Sequence, residues 1–133
     1  MSLWKIYNWY TVVDSRNVCP IGWNVPSLQE WNTLINSLGG EIVTGGKLKR
    51  TGLDHWSFFN EQATNESGFS SLPGGASGSS AETYSLVESA YSWITSIVNA
   101  FVVSGIKMYS TDGSAGEIQN PRTEGMSIRC IEN

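Results

Sequence analysis

The segment VCPIGWNVPSLQEWNTLINSLGG, residues 18–40, contains the strongest secondary-structure pattern in the chain and decides how the fold begins. Ser27 is a good helix N-cap, and Glu30 three residues later completes a capping box. Apolar residues then recur at helical spacing and form one stripe: Leu28, Trp31, Leu34, Ile35 and Leu38. A pair of glycines follows and supplies a left-handed stop. The pattern predicts an amphipathic helix over residues 28–38.

Outside this helix the sequence predicts short strands joined by long irregular loops. Enrichment in aromatic and β-branched residues, or alternation, favours strands in four stretches: 4–13, 91–96, 100–109 and 126–132. Between Gly52 and Ser80 turn residues dominate without a helical or strand period, as is typical of functional loops. We expect one α+β domain over residues 1–133, as a unit of a longer surface protein.

Composition and charge exclude several classes of protein. The 133 residues correspond to one ordinary domain, and 40% hydrophobic residues are enough to fill a core. The net charge is −4 and the longest basic run is only KLKR, so nucleic acid is not an expected partner. The longest apolar stretch, IVNAFVVSGI, is too short and interrupted to span a bilayer. We therefore expect no membrane insertion by this domain.

The titratable residues point away from catalysis and metal binding. His55 is the one histidine, and neither His-x-x-x-His nor Cys-x-x-Cys spacing occurs. GGEIVTGGKL differs from a phosphate-binding loop, because Glu41 and Leu48 replace the required glycine and hydroxyl residue. We interpret its glycines as a helix cap and a turn. STDGSAGE offers Asp112 and Glu117, too few carboxylates for a calcium loop, and we interpret it as a solvated turn. We expect no catalytic residue, metal or cofactor.

Aromatic side chains are concentrated in the loop-rich half of the chain. They are Trp56, Phe58, Phe59, Tyr84, Tyr91, Trp93, Phe101 and Tyr109. Glycans and peptides are commonly held by aromatic faces together with amide and hydroxyl groups on loops. Core packing explains more than half of these positions, and the remainder favour a binding role.

Several motifs occur in a fixed order along nearly the whole chain. They are YNWYTVVDSRNVCPIGWNVPSLQEWNTLINSLGG, GGKLK, SGFSSLPGG, YSWITS and SIRCIEN. Together they resemble the Fibrobacter succinogenes major paralogous domain family. The resemblance implies a C-type-lectin-like fold of short twisted antiparallel strands, one or two helices and long loops. It also implies a secreted or lipid-anchored protein at the cell surface, without fixing any biochemical activity.

The two cysteines, Cys19 and Cys130, leave two alternatives open on the residues alone. They are either free buried thiols or a disulfide that closes a loop worth about 4–5 kcal/mol. The resemblance implies that they are bonded, which would tie the segment before the helix to the last strand.

The chain also departs from related patterns in ways that bear on function. The Glu-Pro-Asn and Trp-Asn-Asp motifs of calcium-dependent lectins are absent. Formylglycine generation needs two reactive cysteines near the C-terminus, whereas only Cys130 lies there. The likeness to those enzymes therefore extends to the fold and not to the mechanism.

The sequence predicts a non-catalytic extracellular binding domain that recognises a glycan or protein ligand. The residues expected to contact the ligand are Trp93, Thr95, Asn99, Phe101, Tyr109 and Arg122. Two alternatives remain: a structural module of a surface protein without its own ligand, and a receptor-binding domain diversified by a retroelement across 93–122. A formylglycine-generating type of enzyme is the least favoured alternative.

Overall fold

The computed structural model describes residues 5–57 and 59–133, and these residues form two α-helices and nine short strands. A 3-10 turn, Trp9–Thr11, follows the first strand. In chain order the elements are β1 (Tyr7–Asn8), β2 (Trp23–Asn24), α1 (Leu28–Ser37), α2 (Glu41–Leu48), β3 (Ala76–Ser77), β4 (Thr83–Tyr84), β5 (Ser89–Ile97), β6 (Val102–Tyr109), β7 (Ala115–Pro121), β8 (Gly125–Met126) and β9 (Ile131–Glu132). The α+β class is confirmed at this level.

Helix α1 confirms the prediction from the opening segment. The Ser27 hydroxyl accepts the backbone N–H of Glu30, and the Glu30 carboxylate accepts the backbone N–H of Ser27. The helix ends one residue before its predicted end, and Gly39 and Gly40 follow with positive φ angles of 103° and 96°. Its apolar stripe faces inward, and Trp31 is among its buried residues.

The interpretation of the GGEIVTGGKL glycines was half wrong. The first pair caps α1, but Gly45 and Gly46 lie inside α2 and not in a turn. A Cβ at Gly45 would collide with the backbone of Ser114, and one at Gly46 with the backbone of Gln62. The glycines therefore allow helix and loops to pack backbone against backbone, which outweighs their poor helix propensity.

The longest strands form a three-stranded antiparallel sheet in the order β5-β6-β7. The other strands form a four-stranded sheet, β1-β8-β3-β4, and a pair, β2-β9. Strand β5 has an irregular register between Trp93 and Ile97, where its pairing with β6 shifts. The strands predicted at 91–96 and 100–109 are thus confirmed as β5 and β6, with shifted ends.

Three predictions of strands or turns need correction. The stretch 4–13 is not one strand: Trp4 lies outside the described residues, and β1 gives way to the 3-10 turn after Asn8. The predicted strand over 126–132 divides into β8 and β9, each paired with a different partner. The end of STDGSAGE is strand and not turn, because β7 begins at Ala115 and pairs with β6.

Two buried hydrophobic clusters fill the domain, and tryptophans connect both of them to the surrounding backbone. The first cluster contains Trp31, Leu48, Trp56, Ala90, Ile94, Ile106, Met108 and Ala115. The second contains Trp9, Ala76, Tyr91, Trp93, Val103 and Met126. The indole N–H groups of Trp9, Trp56 and Trp93 donate to the carbonyls of Ile94, Ser71 and Tyr7, respectively. The Trp9 and Trp93 bonds join the N-terminal segment to β5, and the Trp56 bond joins two loops, since buried indole groups need partners.

A disulfide joins Cys19 to Cys130, as the resemblance implied. The S–S distance is 2.04 Å and the two cysteines are 111 residues apart in sequence. The bond lies close to the β2-β9 pair, in which Asn24 is opposite Ile131. It therefore ties the segment before α1 to the last strand. No helix among the described residues is long and apolar enough to cross a membrane.

Candidate functional site

Strand β6 connects two exposed surfaces, one at each end. The first, here called the tip, is the β5-β6 turn with its supporting arginine: Ile97, Val98, Asn99, Ala100, Phe101 and Arg122. The second, here called the groove, is lined by Ser57, Phe59, Ser85, Glu88, Ser89, Lys107, Tyr109, Ser110 and Thr111. From its first residue to its last, an eight-residue strand is about 23 Å long, so the two surfaces are separate.

The tip is held by hydrogen bonds within the turn itself. The side-chain oxygen of Asn99 accepts the backbone N–H groups of Phe101 and Val102, at 2.8 and 3.0 Å. Such side-chain to backbone bonds fix a turn locally. The Phe101 side chain is 79% exposed and that of Ile97 is 60% exposed. The turn thus presents apolar side chains outward on an ordered backbone.

Arg122 ties the tip to the second core cluster. Its guanidinium donates to the Asn99 carbonyl at 2.9 Å, and its backbone N–H donates to the Phe101 carbonyl at 3.1 Å. The guanidinium carbon also lies 4.7 Å from the ring centroid of buried Trp9. A guanidinium stacked on an aromatic face combines packing with directed donors. Arg122 therefore supports the turn from below.

The groove has a volume of about 420 Å³ and is bordered by two exposed aromatic side chains. Phe59 is 65% exposed and Tyr109 is 37% exposed. The Lys107 ammonium lies 4.0 Å from the ring centroid of Tyr109 and 4.8 Å from that of Tyr91. Burial acts to lower the pKa of Lys107, but its contacts with both tyrosines outweigh that effect and raise the pKa. Lys107 is therefore charged at neutral pH.

A buried lysine fixes the backbone behind the groove. The ammonium of Lys49, which has no exposed surface, donates to the carbonyls of Glu61, Tyr109 and Asp112 at 2.8, 2.7 and 2.7 Å. It also lies 5.4 Å from the centroid of Trp56. Burial lowers the pKa of Lys49 to about 8, against the charges of Asp112 and Glu61. The loop at Glu61, the end of β6 and the turn after it meet at this one cation, so the shape of the groove depends on it.

The structure separates the six residues that the sequence predicted to contact a ligand. Asn99, Phe101 and Arg122 lie together at the tip. Thr95 is exposed on β5 beside the shift in register, and its backbone N–H donates to the Pro26 carbonyl. Tyr109 lies at the opposite end of β6.

The prediction that Trp93 contacts a ligand is wrong, since its side chain has no exposed surface and belongs to the second core cluster. Its indole N–H is already donated to the Tyr7 carbonyl at 2.7 Å. A side chain in this position cannot contact a ligand at the surface. Trp93 is therefore a residue of the core, and its role is to hold β1 against β5.

Sequence reasoning missed Lys107 and Glu88 as members of the groove. It included Phe59 among the loop aromatics but not among the residues expected to bind. The sequence feature that could have indicated Phe59 as a binding residue is the aromatic cluster WSFF, which lies in a segment without regular structure. Phe58, in the same cluster, lies outside the described residues.

The two carboxylates considered as metal ligands, Asp112 and Glu117, both accept hydrogen bonds from other residues of the domain. Asp112 accepts from the backbone N–H and the hydroxyl of Ser114. Glu117 accepts the hydroxyl of Ser104 on the neighbouring strand β6. Within residues 5–57 and 59–133, no three His, Cys, Asp or Glu side chains are grouped so that they could hold a metal ion.

The fold and its surfaces define a disulfide-bonded α+β domain with antiparallel sheets and two helices. The family model of the Fibrobacter succinogenes major domain matches residues 3–132. The chain therefore belongs to this family over nearly its whole length. Neither a curated protein nor a solved structure matches it.

Proposed function

We propose that this chain is a non-catalytic extracellular binding domain of a bacterial or phage surface protein, and that its groove binds a glycan. The observation that carries the proposal is the pairing of two exposed aromatic side chains, Phe59 and Tyr109, with a concave space of about 420 Å³. A binding site for a small polar molecule is concave, with apolar faces and a few placed polar groups. The groove fits that description.

The polar residues of the groove suit a ligand rich in hydroxyl groups. Lys107 supplies a charged donor between two tyrosine rings. Glu88 supplies an acceptor and the Ser85 hydroxyl can both donate and accept, while the Ser57 and Ser110 hydroxyls bond to each other at 3.1 Å. The aromatic faces would cover the apolar side of a sugar ring while these groups bond to its edge.

The proposed location rests on the disulfide and on family membership. A bond between cysteines 111 residues apart is expected in an oxidising compartment and is rare in a bacterial cytosol. The proposed C-type-lectin-like fold is supported by two helices, short antiparallel strands and the long loop region between α2 and β5. Both statements are inferences that go beyond the family match.

A glycan array probed with the purified domain tests the function, run once with calcium and once with a chelator. The wild-type domain should give reproducible hits that the chelator does not remove. Tyr109→Ala and Phe59→Ala should each weaken binding about tenfold or more, because each removes an aromatic face. Phe101→Ala is the matched control, since it removes another exposed aromatic side chain, from the other end of β6.

A blank array would contradict the glycan proposal, and so would hits that survive the loss of Tyr109 and Phe59. Hits lost only in Phe101→Ala would transfer the site from the groove to the tip. Hits lost in chelator would require a metal site that the carboxylates described above do not provide.

A second candidate function, binding of a protein receptor, is favoured by the tip. Phe101, Ile97 and Val98 are exposed side by side and flank Arg122, and aromatic residues with arginine are enriched where protein interfaces bind most strongly. Labelled domain should then bind intact target cells, lose binding in Phe101→Ala, and lose it again after the cells are treated with protease. Equal cell binding by wild type and Phe101→Ala would contradict this function. A structural module without a ligand predicts no effect of either variant in either assay.

A further inference from the structure

A cavity of about 340 Å³ opens into the first hydrophobic cluster. Its apolar walls include Phe69, Leu72, Ile106, Met108 and Ile128. Ile106 and Met108 are almost completely buried members of that cluster, so the cavity reaches the core itself. Protein interiors leave few voids larger than a water molecule, whereas a space of this size is typical of small-molecule sites.

Two polar atoms of residues that line the cavity are buried and have no hydrogen-bond partner among the described residues. They are the indole N–H of Trp31, a residue only 3% exposed, and the hydroxyl of Ser92. The indole groups of Trp9, Trp56 and Trp93 each donate to a carbonyl. Because an unpaired buried donor is costly, Trp31 and Ser92 indicate that the cavity accepts a molecule with a polar atom.

Two exposed cations, Lys5 and Arg129, line the same cavity. Neither forms an ion pair within the part of the chain that the structure describes. The Arg129 guanidinium stacks 4.3 Å from the Phe69 ring centroid and donates to the Phe69 carbonyl at 2.6 Å. Phe69 in turn packs against Trp31, with ring centroids 5.9 Å apart. The wall thus runs continuously from the unpaired indole to an exposed positive charge.

A second cavity, also of about 340 Å³, shares the wall of Trp31, Phe69 and Arg129. Glu30 and Glu132 line this second space but not the first. A negatively charged ligand is therefore favoured only in the first cavity, where both charged side chains are positive. Arg129 precedes Cys130, so the disulfide fixes the segment that carries this charge.

We propose that the first cavity binds a small amphipathic carboxylate with an aromatic or branched apolar body. The body contacts Phe69, Ile106 and Met108, and the carboxylate lies at the mouth with Lys5 and Arg129. A polar atom of the ligand accepts the Trp31 indole N–H. This site is distinct from the groove and does not depend on the proposed glycan function.

Heteronuclear NMR of isotope-labelled protein tests the proposal with two probes, phenylbutyrate and its uncharged amide. The sequence has six tryptophans, and the signal of the Trp31 indole is assigned as the one lost in Trp31→Phe. Phenylbutyrate should shift this signal in a saturable manner and leave that of Trp93 in place. The amide should bind about tenfold more weakly, because it lacks the charge-assisted hydrogen bond.

Three variants locate the site. Arg129→Gln should reduce the affinity for phenylbutyrate severalfold, because only Lys5 is then left to pair with the carboxylate. Ala90→Leu should abolish binding by filling the cavity, in which Ala90 is a wall residue. Arg16→Gln is the matched control and should change nothing, because this surface arginine is paired with Asp14 and neither residue lines the cavity.

The comparison of acid and amide is made on the wild-type protein, and a variant serves only to assign the Trp31 signal. A Trp31 signal that neither probe moves would overturn the proposal, as expected if the cavity holds only water. A signal that both probes move with equal affinity would overturn the assignment of an anion. Unchanged binding by a folded Ala90→Leu protein would place the probe elsewhere and would also overturn it.

Discussion

The two ends of strand β6 carry surfaces of opposite construction. The tip presents exposed apolar side chains, and the turn that forms it is ordered by Asn99, a residue of the turn itself. The groove is concave and combines two aromatic faces with polar side chains, and its lining comes from three separate stretches of chain. Buried Lys49 joins the backbones behind it. Substitutions at the tip should therefore leave the rest of the fold intact, whereas substitutions that change the shape of the groove should also disturb the buried contacts of the domain.

Removal of the disulfide tests whether the tip and the groove are stabilised by the same fold. It should have the largest effect on the free energy of unfolding. Cys19→Ser combined with Cys130→Ser opens a loop between residues 111 apart. The free energy of unfolding should fall by about 4–5 kcal/mol, as measured by guanidinium titration. Hydrogen exchange should rise at the tip and the groove together.

Wild-type protein unfolded with and without a reductant is the control for these two substitutions. Reduction should reproduce the loss of stability of the double variant. Hydrogen exchange that rises at only one end of β6 would contradict this prediction, because it would show that the disulfide stabilises only the tip or only the groove.

Lys49→Met tests the groove end alone. The substitution leaves three partly buried carbonyls without their donor, so stability should fall by about 3 kcal/mol. Glycan binding should be lost even where the protein remains folded, because the Tyr109 backbone is no longer fixed. Chemical unfolding and the glycan array measure the two effects.

Lys47→Met is the matched control for Lys49→Met. Lys47 is two residues earlier in the same region and makes a partly exposed ion pair with Glu66 at 3.0 Å. Its loss should cost less than about 1 kcal/mol. Equal effects of the two substitutions would disprove the role assigned to Lys49.

Asn99→Ala tests the tip end, where a smaller effect is expected. The loss of one acceptor from two backbone N–H groups should cost about 1 kcal/mol, because water can reach this exposed turn. Asn99→Asp keeps the acceptor and should retain nearly full stability. Thermal unfolding measures both, and glycan binding in the groove should be unaffected. A loss of glycan binding in Asn99→Ala would contradict the independence of the two ends.

The dependence of stability on pH is a test that needs no substitution, and it again concerns the groove end. The pKa of Lys49 is lowered by burial to about 8 from an ordinary value of 10.5. Between these values the unfolded chain binds more protons than the folded one, so stability should rise with pH above about 8. Above about pH 10 the rise should end, because burial and the charge of Glu124 raise the pKa of Tyr84 to about 12 in the folded protein.

Unfolding titrations between these two limits measure the effect, and Lys49→Met should show no rise. A flat profile for the wild type would mean that the three carbonyl acceptors stabilise the ammonium enough to cancel the effect of its burial.

The parts of the fold that were predictable depend on local pattern. Helix α1 follows from a capping box and an apolar stripe within a dozen residues. The disulfide followed only from resemblance, because nothing in the sequence brings Cys19 to Cys130. Strand β7 was missed because AGEIQNP lacks clear alternation and follows a run of turn residues.

The candidate site was predictable only in part. Trp93 was misplaced because both faces of β5 are covered near it, so that Tyr91, Trp93 and Ile94 are all buried and alternation gives no signal. Lys49 was missed because its three acceptors belong to residues 12, 60 and 63 positions away in sequence. Contacts of that range are set by the assembled fold and not by neighbouring residues.

The pairing of β1 with β8 and of β2 with β9 also determines when the domain can fold during its synthesis. Met126 completes the second hydrophobic cluster, and Cys130 completes the disulfide. A ribosome must therefore translate nearly all of this domain before either can form. Such long-range closure is slow and follows translation. Under the extracellular location proposed above, the nascent chain would stay open for export and close only where thiols are oxidised.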